Sequence, residues 1–330
     1  MLYIVLRSPL PPLIRGVAIA GGIFRGINVY QVGKSSAEDG TGRSLMVEWL
    51  LDPLNRNFMQ QALAVGLLVG ILCPVIGSYL IVQRMALLGN VISHAVLPGL
   101  AIANFLGIDL LLGAFAFGLL STGLIAWIGN QSRLKADSAM ALTLASFFAL
   151  GVVLIGQLRS KLDLEGLLFG NILTVTMTDV WRAGAIAAVI LILVIAFYKE
   201  LLFYTFDPTG AEVVGLPTRV IQFCLTAAIA LTIVLGMKTV GVILVVSLLV
   251  GPASTAYLLV KELHQMMALG AVLGSIASIA GMYLSYYYEV ASGPAIALVV
   301  FALFLLALLF SPSEGVLTQR FRFRRSIESR

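Results

Sequence analysis

The sequence predicts an all-α protein, a polytopic bundle of about nine transmembrane helices. Of the 330 residues, 60% are hydrophobic and only 11% are charged, and the mean hydropathy is +1.02. A soluble domain carries about 25% charged residues, so most of this surface must face lipid. Closed β-barrels also span membranes but alternate apolar and polar residues. Segment 242–250 (VILVVSLLV) does not alternate, which favours helices.

Uncharged apolar stretches mark the spans, since a helix needs about 20 apolar residues to cross a bilayer. They cover residues 57–82, 85–107, 110–130, 138–158, 183–198, 220–237, 239–260, 265–288 and 293–311. Outside them, residues 1–45 do not fit the pattern of a membrane span well and are predicted to be an N-terminal extension. Residues 46–315 are predicted to form the transmembrane domain, and residues 316–330 a basic cytoplasmic tail.

The distribution of positive charge predicts the orientation of the chain. Cytoplasmic loops of membrane proteins carry an excess of lysine and arginine. With the loop around Asp207 placed in the cytoplasm, eleven lysines and arginines fall inside and six fall in short outer segments. The C-terminus is therefore predicted to be cytoplasmic and the N-terminus to face outward.

Motifs for ATP hydrolysis and proteolysis are missing from the sequence. Gly33-Lys34-Ser35 resembles the end of a Walker A motif, but Asn28 occupies the position of the first glycine. No HExxH metalloprotease motif occurs. Ser93 and His94 are adjacent and project about 100° apart on a helix, so they cannot form a catalytic dyad. The chain is therefore predicted not to be an enzyme.

One polar segment lies within a span, at residues 89–99 (GNVISHAVLPG). Asn90 and His94 are four residues apart and so share one helix face. An imidazole nitrogen and a carboxamide oxygen are both competent ligands for a divalent transition metal. Pro98 and the glycines at 89 and 99 are expected to loosen the helix nearby and to free backbone carbonyls that could also face a cavity. The alternative is that His94 has a structural role and makes a hydrogen bond to another helix. Two ligands cannot complete a coordination shell, so a symmetry mate or water must supply the rest.

A second informative segment lies between the fifth and sixth spans. Asp207 is predicted to cap a short helix, with Pro208 at its first position and Gly215 at its end. Ala211 and Glu212 lie within it. A two-turn helix at the cytoplasmic surface suits docking into a partner's groove. The alternative is an ordinary connector at the membrane interface.

Taken together, these residues resemble the membrane subunits of ABC importers that move manganese, zinc or iron. The matching segments are RMAL at 84–87, SHAVLPG at 93–99, LFG at 168–170, FDP at 206–208 with Ala211 and Gly215, VG at 240–241, GPASTA at 251–256 and SGP at 292–294. They occur in the family's order and cover roughly residues 46–315. The SHAVLPG run is the specific one, and the other segments carry weight together.

The resemblance implies a fold similar to that of cobalamin-type importer permeases, assembled as a homo- or heterodimer with the pore along the two-fold axis. Residues Asp207, Pro208, Ala211, Glu212 and Gly215 would belong to the coupling helix that seats in a cytoplasmic ATP-binding subunit. An extracytoplasmic metal-binding protein would deliver the ion, and the location would be a bacterial inner membrane.

The resemblance also implies an ion site in the pore at Asn90 and His94. The family usually has aspartate where this chain has Asn90. Loss of that carboxylate removes a charge that helps to strip water from a cation. The site is therefore expected to be weak, or a different permease copy supplies the carboxylate.

The sequence-based hypothesis is a permease subunit that imports a divalent transition metal, with no cofactor of its own and no nucleic-acid partner. Mn²⁺ is favoured because oxygen with few nitrogens and no thiolate suits a harder ion. A zinc or iron permease is the alternative within this class. An ion-coupled secondary transporter is less favoured, because that class usually places acidic residues at mid-membrane. A structural scaffold would leave the Asp207 helix and the His94 segment without a purpose.

Overall fold

The computed structural model describes residues 56–158 and 175–311, and every regular element in these ranges is an α-helix. The twelve helices are α1 (Asn57–Val82), α2 (Leu87–Ala95), α3 (Leu97–Leu106), α4 (Leu110–Gln131), α5 (Ala136–Gln157), α6 (Met177–Ala196), α7 (Tyr198–Phe206), α8 (Pro208–Val213), α9 (Thr218–Val240), α10 (Val242–Leu259), α11 (Leu263–Tyr288) and α12 (Ser292–Phe310).

Nine helical segments in the described ranges are long and apolar enough to cross a bilayer. Helices α2 and α3 together make one of these spans, Leu87–Leu106. Helices α7 and α8 are too short to span and connect the fifth span to the sixth. The prediction of nine spans is confirmed for this part of the chain.

The fifth span differs from its predicted bounds, because α6 begins at Met177 rather than at residue 183. Its first turn is closed by a capping box. The Asp179 amide donates to the Thr176 hydroxyl, and the Asp179 carboxylate accepts from the Thr176 amide, both at 3.3 Å. The predicted span was limited to uncharged residues, and this turn carries Asp179. A charged first turn can nevertheless lie at the membrane interface.

Helix α1 lies at the centre of one group of helices and packs against α10 and α11, and also against α6 and α9. Glycines allow the closest approaches. A β-carbon at Gly70 would lie 2.9 Å from the carbonyl oxygen of Gly274 on α11, and one at Gly77 would overlap the carbonyl oxygen of Leu249 on α10. Small residues at such contacts let helix backbones meet and are the usual basis of packing in membranes.

Helices α2 to α5 form a second group. Helices α3 and α4 meet at Gly99 and Gly113, where a β-carbon on either residue would overlap the other's carbonyl oxygen or lie against it. Helix α2 also packs against α9 and α10, and a β-carbon at Gly89 would lie 2.5 Å from a methyl carbon of Leu249. The segment that carries Asn90 and His94 therefore lies where the two groups meet.

Several predictions fall outside the described residues: the N-terminal extension (residues 1–45), the basic tail (residues 316–330) and the LFG segment (168–170). The domain limits at residues 46 and 315 lie outside as well. These boundaries stay predictions, as does the orientation of the chain in the membrane.

Candidate functional site

The second span is interrupted at Val96, between the end of α2 at Ala95 and the start of α3 at Leu97. Pro98 explains the interruption, because it has no amide hydrogen to donate to the carbonyl of His94 four residues earlier. The sequence-based expectation that Pro98 loosens the helix near His94 is therefore met. The expected freed carbonyl is not seen there, because a backbone amide at the end of α2 still donates to the carbonyl of His94.

His94 and Asn90 both lie on α2 and are half-buried, one helical turn apart. The Nδ1 atom of His94 is buried and has no hydrogen-bond partner in the described part of the chain. A purely structural role for His94 would require a hydrogen bond from that ring to another helix. The contact that the structure does show is with an aromatic ring: His94 lies edge-on to Phe148 of α5, at 5.5 Å between ring centroids.

Both candidate donors are uncharged, since a carboxamide has no charge and a ligating imidazole must be neutral. The described residues contain no group of three or more His, Cys, Asp and Glu that could hold a metal ion. Their acidic residues lie at helix ends, on the short helices or between helices: Asp109, Asp137, Asp179, Glu200, Asp207, Glu212, Glu262 and Glu289. Within this part of one chain, a cation at His94 would meet neutral ligands alone.

Sequence reasoning missed Phe148, which no motif marks and which lies on another helix. Sequence reasoning also did not predict whether the hydroxyl of Ser93 is hydrogen-bonded. The Ser93 hydroxyl donates to the carbonyl of Gly89 at 2.8 Å, so its proton is already used within α2. On α2 itself, Asn90 is the other polar residue on the helix face of His94.

The second predicted segment forms the expected short helix, α8. The Asp207 carboxylate accepts a hydrogen bond of 2.8 Å from the Gly210 amide, and Pro208 occupies the first helical position. These are the preferred residues for an N-cap and a first turn. Ala211 is completely buried and fixes the helix against the bundle.

The other end of α8 is closed by Gly215, whose φ of +88° favours glycine. The Leu216 amide donates to the carbonyl of Ala211 at 3.0 Å, as in a Schellman motif. Val213 and Val214 are 83% and 71% exposed, and Glu212 is exposed as well. The helix is therefore capped at both ends, buries Ala211 and exposes the apolar side chains of Val213 and Val214.

Residues 55–311, more than three quarters of the chain, match the ABC 3 transport family. The chain belongs to this family. It is 44% identical over 276 residues to the manganese transport system membrane protein MntC of Halalkalibacterium halodurans, covering 83% of this chain and 94% of that protein. It is also 38% identical over 266 residues to a "Probable iron transport system membrane protein" of Haemophilus influenzae, covering 81% and 98%.

Among solved structures, the chain is similar to one in PsaBC from Streptococcus pneumoniae in complex with Fab, with a TM-score of 0.76 and 38% identity. The similarity covers 83% of this chain and 99% of that one. The family match and these relatives confirm the fold class and the resemblance to permeases of metal-ion ABC importers. They also confirm a multi-pass transport subunit rather than an enzyme.

Proposed function

We propose that this permease imports Mn²⁺ along a path that passes His94 and Asn90 on α2. A separate cytoplasmic ATP-binding subunit drives the import through the coupling helix, Asp207–Gly215. The observation that carries the proposal is the imidazole of His94, whose Nδ1 atom is buried without a hydrogen-bond partner among the described residues.

An unpaired buried polar atom is unfavourable by about 1–3 kcal/mol, more so in a membrane protein, where little water can pair with it. Ionisable side chains within spans are rare and by default mark a function. A cation passing α2 would use the lone pair of the neutral imidazole. It would also find the Asn90 carboxamide oxygen one turn away on the same helix face.

A second permease copy completes the site in this proposal. One chain contributes one imidazole and one carboxamide from its described residues. Two copies related by a two-fold axis would double these donors, and water would fill the remaining positions. Incomplete and uncharged coordination suits a site that an ion must leave quickly, whereas tight binding would slow transport. A heterodimer in which the other copy supplies a carboxylate fits the same geometry.

Mn²⁺ is preferred for two reasons. Relatives more than 40% identical to this chain are named manganese transport proteins. The donors available on α2 combine oxygen and imidazole without thiolate, which suits a harder ion. Zn²⁺ binds such a site more tightly, and the iron-named relative keeps Fe²⁺ as an alternative cargo.

The surface of α8 supports docking of the ATP-binding subunit in the cytoplasm. Val213 and Val214 present an apolar patch that is exposed in the single chain, and Ala211 anchors the helix from the other side. Movement of the partner would therefore be passed to α7 and α9, which flank α8 and pack against it. In this arrangement an extracytoplasmic metal-binding protein delivers the ion, the membrane is a bacterial inner membrane and the C-terminus is cytoplasmic.

Uptake of radiolabelled Mn²⁺ into proteoliposomes that contain the permease and its ATP-binding subunit tests the proposal, with unlabelled Zn²⁺ and Fe²⁺ as competitors. His94→Ala is compared with His264→Ala. His264 is the matched control because it lies at the exposed start of α11, 3.2 Å from Glu262.

We expect ATP-dependent uptake that His94→Ala reduces at least tenfold, the effect of losing about 1.4 kcal/mol of ion stabilisation. His264→Ala should retain uptake. Equal uptake by the two variants would remove His94 from the path. Uptake of Zn²⁺ or Fe²⁺ in place of Mn²⁺ would change the assigned cargo.

A further inference from the structure

The turn that joins α1 to α2 contains a residue in an unusual backbone conformation. Arg84 has a φ of +58°, in the left-handed region, where a side chain crowds the neighbouring backbone. The turn ends α1 with a Schellman motif. The Arg84 amide donates to the carbonyl of Ile81 at 3.0 Å, and the Met85 amide donates to that of Leu80 at 2.8 Å. Glycine would adopt this conformation without strain.

Helix α8 ends with the same pair of hydrogen bonds around a glycine. The Gly215 amide donates to the carbonyl of Glu212 and the Leu216 amide to that of Ala211, both at 3.0 Å, and the φ of Gly215 is +88°. Glycine is the usual residue at this position of the motif. Arg84 therefore occupies a place suited to glycine, and a strained residue of this kind indicates that its side chain has a use.

The side chain of Arg84 is exposed, and it forms no ion pair with any residue in the ranges 56–158 and 175–311. A role in orienting the chain in the membrane does not explain its position, because orientation depends on the number of positive charges near the ends of the spans. Gln83 and Ala86 in the same turn have φ values of −75° and −54°, and either position would carry the charge without strain.

A hydrogen bond ties this turn to the segment that leads into α8. Nε2 of Gln83 donates to Oγ1 of Thr205 on α7, at 3.4 Å. Thr205 is 8% exposed and lies two residues before Asp207, which caps α8. The first and fifth spans cross the membrane in the same direction, so the turn and α8 lie on the same side. Arg84 is thus on the side of the coupling helix and next to a residue that contacts its approach.

A guanidinium binds carboxylates through paired hydrogen bonds and is favoured at protein interfaces for that reason. We propose that Arg84 is a second contact for the ATP-binding subunit, beside α8, and that it pairs with a carboxylate of that subunit. The exposed Val213 and Val214 would form the apolar part of this surface and Arg84 its charged rim. The proposal rests on the proposed function, which places the same subunit on α8.

An anionic lipid headgroup also attracts a guanidinium at the end of a span. The bond between Gln83 and Thr205 favours the subunit, because it fixes the turn relative to the approach to α8, and a lipid contact needs no such fixed position. The lipid is therefore treated as an alternative outcome of the experiment.

Arg84→Gly removes the charge and relieves the backbone strain in one step. Glu289→Gly is the matched control. Glu289 is the other non-glycine residue of positive φ in the described ranges, at +53°, and it ends α11 on the opposite side of the membrane. For the permease alone, both variants should melt at the temperature of the wild type or up to about 3 °C higher. A lower melting temperature for Arg84→Gly would show that the arginine stabilises the fold, and it would overturn the docking role.

Assembly is measured by a pull-down titration of the detergent-solubilised permease with the ATP-binding subunit. We expect Arg84→Gly to raise Kd about three- to tenfold, between the effects of an exposed ion pair and a charged hydrogen bond. Arg84→Lys should recover most of this loss, and high salt should narrow the gap between Arg84→Gly and the wild type. Glu289→Gly should leave Kd unchanged. An unchanged Kd for Arg84→Gly, or an equal loss in Glu289→Gly, would overturn the proposal.

The same titration in nanodiscs of phosphatidylcholine, with and without phosphatidylglycerol, separates the subunit from the lipid. The loss in Arg84→Gly should be present in both membranes. A loss that requires phosphatidylglycerol would assign the guanidinium to a lipid headgroup and overturn the contact with the subunit.

Uptake by the reconstituted transporter separates this proposal from the proposed function. If the wild type assembles but shows no ATP-dependent Mn²⁺ uptake, while Arg84→Gly weakens assembly, the cargo assignment fails and the docking contact stands. If Arg84→Gly assembles and takes up Mn²⁺ as the wild type does, the role of Arg84 fails and the proposed function stands. Failure of the wild-type permease to bind the ATP-binding subunit would overturn both.

Discussion

The imidazole of His94 meets the ring of Phe148 edge-on, with centroids 5.5 Å apart and ring planes inclined at 86°. This geometry is a preferred arrangement of two aromatic rings. It joins α2 to α5 at the level where the helical second span is about to break. Phe148 is itself 41% exposed, so the contact lies at the edge of a buried region.

Removing the aromatic partner should therefore weaken transport without removing a ligand. An aromatic pair contributes about 0.5–1.5 kcal/mol beyond the burial of its area, so Phe148→Ala should lower Mn²⁺ uptake about two- to tenfold. Phe301→Ala is the control, because Phe301 is exposed on α12 and distant in sequence from the site. Equal losses in the two variants, measured as initial uptake rates, would mean that the ring contact does not position His94.

The short helix α8 could be predicted from the sequence because its signals are local. An aspartate cap, a proline at the first position and a glycine with positive φ act within a few residues of one another. The shared face of Asn90 and His94 is equally local, because it follows from helical periodicity. The interruption of the second span follows from the chemistry of Pro98.

The partners of these residues could not be predicted in the same way. Phe148 lies more than fifty positions after His94, and no single motif encodes that contact or the contact of Gly151 on α5 with Leu97 on α3. The start of α6 was placed too late for a different reason. The capping pair Thr176 and Asp179 is a local signal, but its charged residue lies outside any uncharged stretch.

Close packing beside the site gives a prediction about stability. A β-carbon at Gly99 would overlap the carbonyl oxygen of Gly113, so Gly99→Ala must push α3 away from α4. We expect the free energy of unfolding to fall by about 1–3 kcal/mol, as in other overpacked interiors. Gly123→Ala is the control on α4, since its β-carbon would meet nothing within 4 Å.

Because alanine is favoured over glycine in a helix by about 1 kcal/mol, Gly123→Ala should leave the melting temperature unchanged or raise it. Thermal unfolding of the purified permease in detergent measures both variants. A Gly99→Ala protein as stable as the Gly123→Ala protein would show that α3 and α4 can separate at little cost.

The exposed valines of α8 give a prediction about coupling. Val213 is 83% exposed in the single chain, so Val213→Asp should not disturb the fold of the permease. Buried against a partner, the new carboxylate would be desolvated without a counter-charge, which is unfavourable by several kcal/mol. Assembly with the ATP-binding subunit should therefore fall at least tenfold in a pull-down titration, and Mn²⁺ uptake should fall with it.

Val290→Asp is the matched control for the coupling helix. Val290 is 48% exposed and lies between α11 and α12, on the side of the membrane predicted to be opposite to α8. The same charge at that position should leave assembly intact. Loss of assembly in the control as well would trace the defect to general misfolding, and unchanged assembly in Val213→Asp would exclude α8 as the docking surface.

Asn90→Asp tests whether the neutral side chain sets the strength of the ion site. A carboxylate attracts a divalent cation more strongly than a carboxamide does, so KM for Mn²⁺ should fall, by roughly tenfold if the added attraction is about 1.4 kcal/mol. The same charge within a span is unfavourable by about 2.5–3.5 kcal/mol on insertion scales, so the melting temperature should drop in the absence of Mn²⁺ and recover when Mn²⁺ is added. Tighter binding should also slow release, so maximal uptake should not increase.

Asn90→Ala, which lacks both oxygen and charge, should raise KM instead. If all three proteins share one KM, Asn90 does not meet the ion, and the path must be sought on another face of α2.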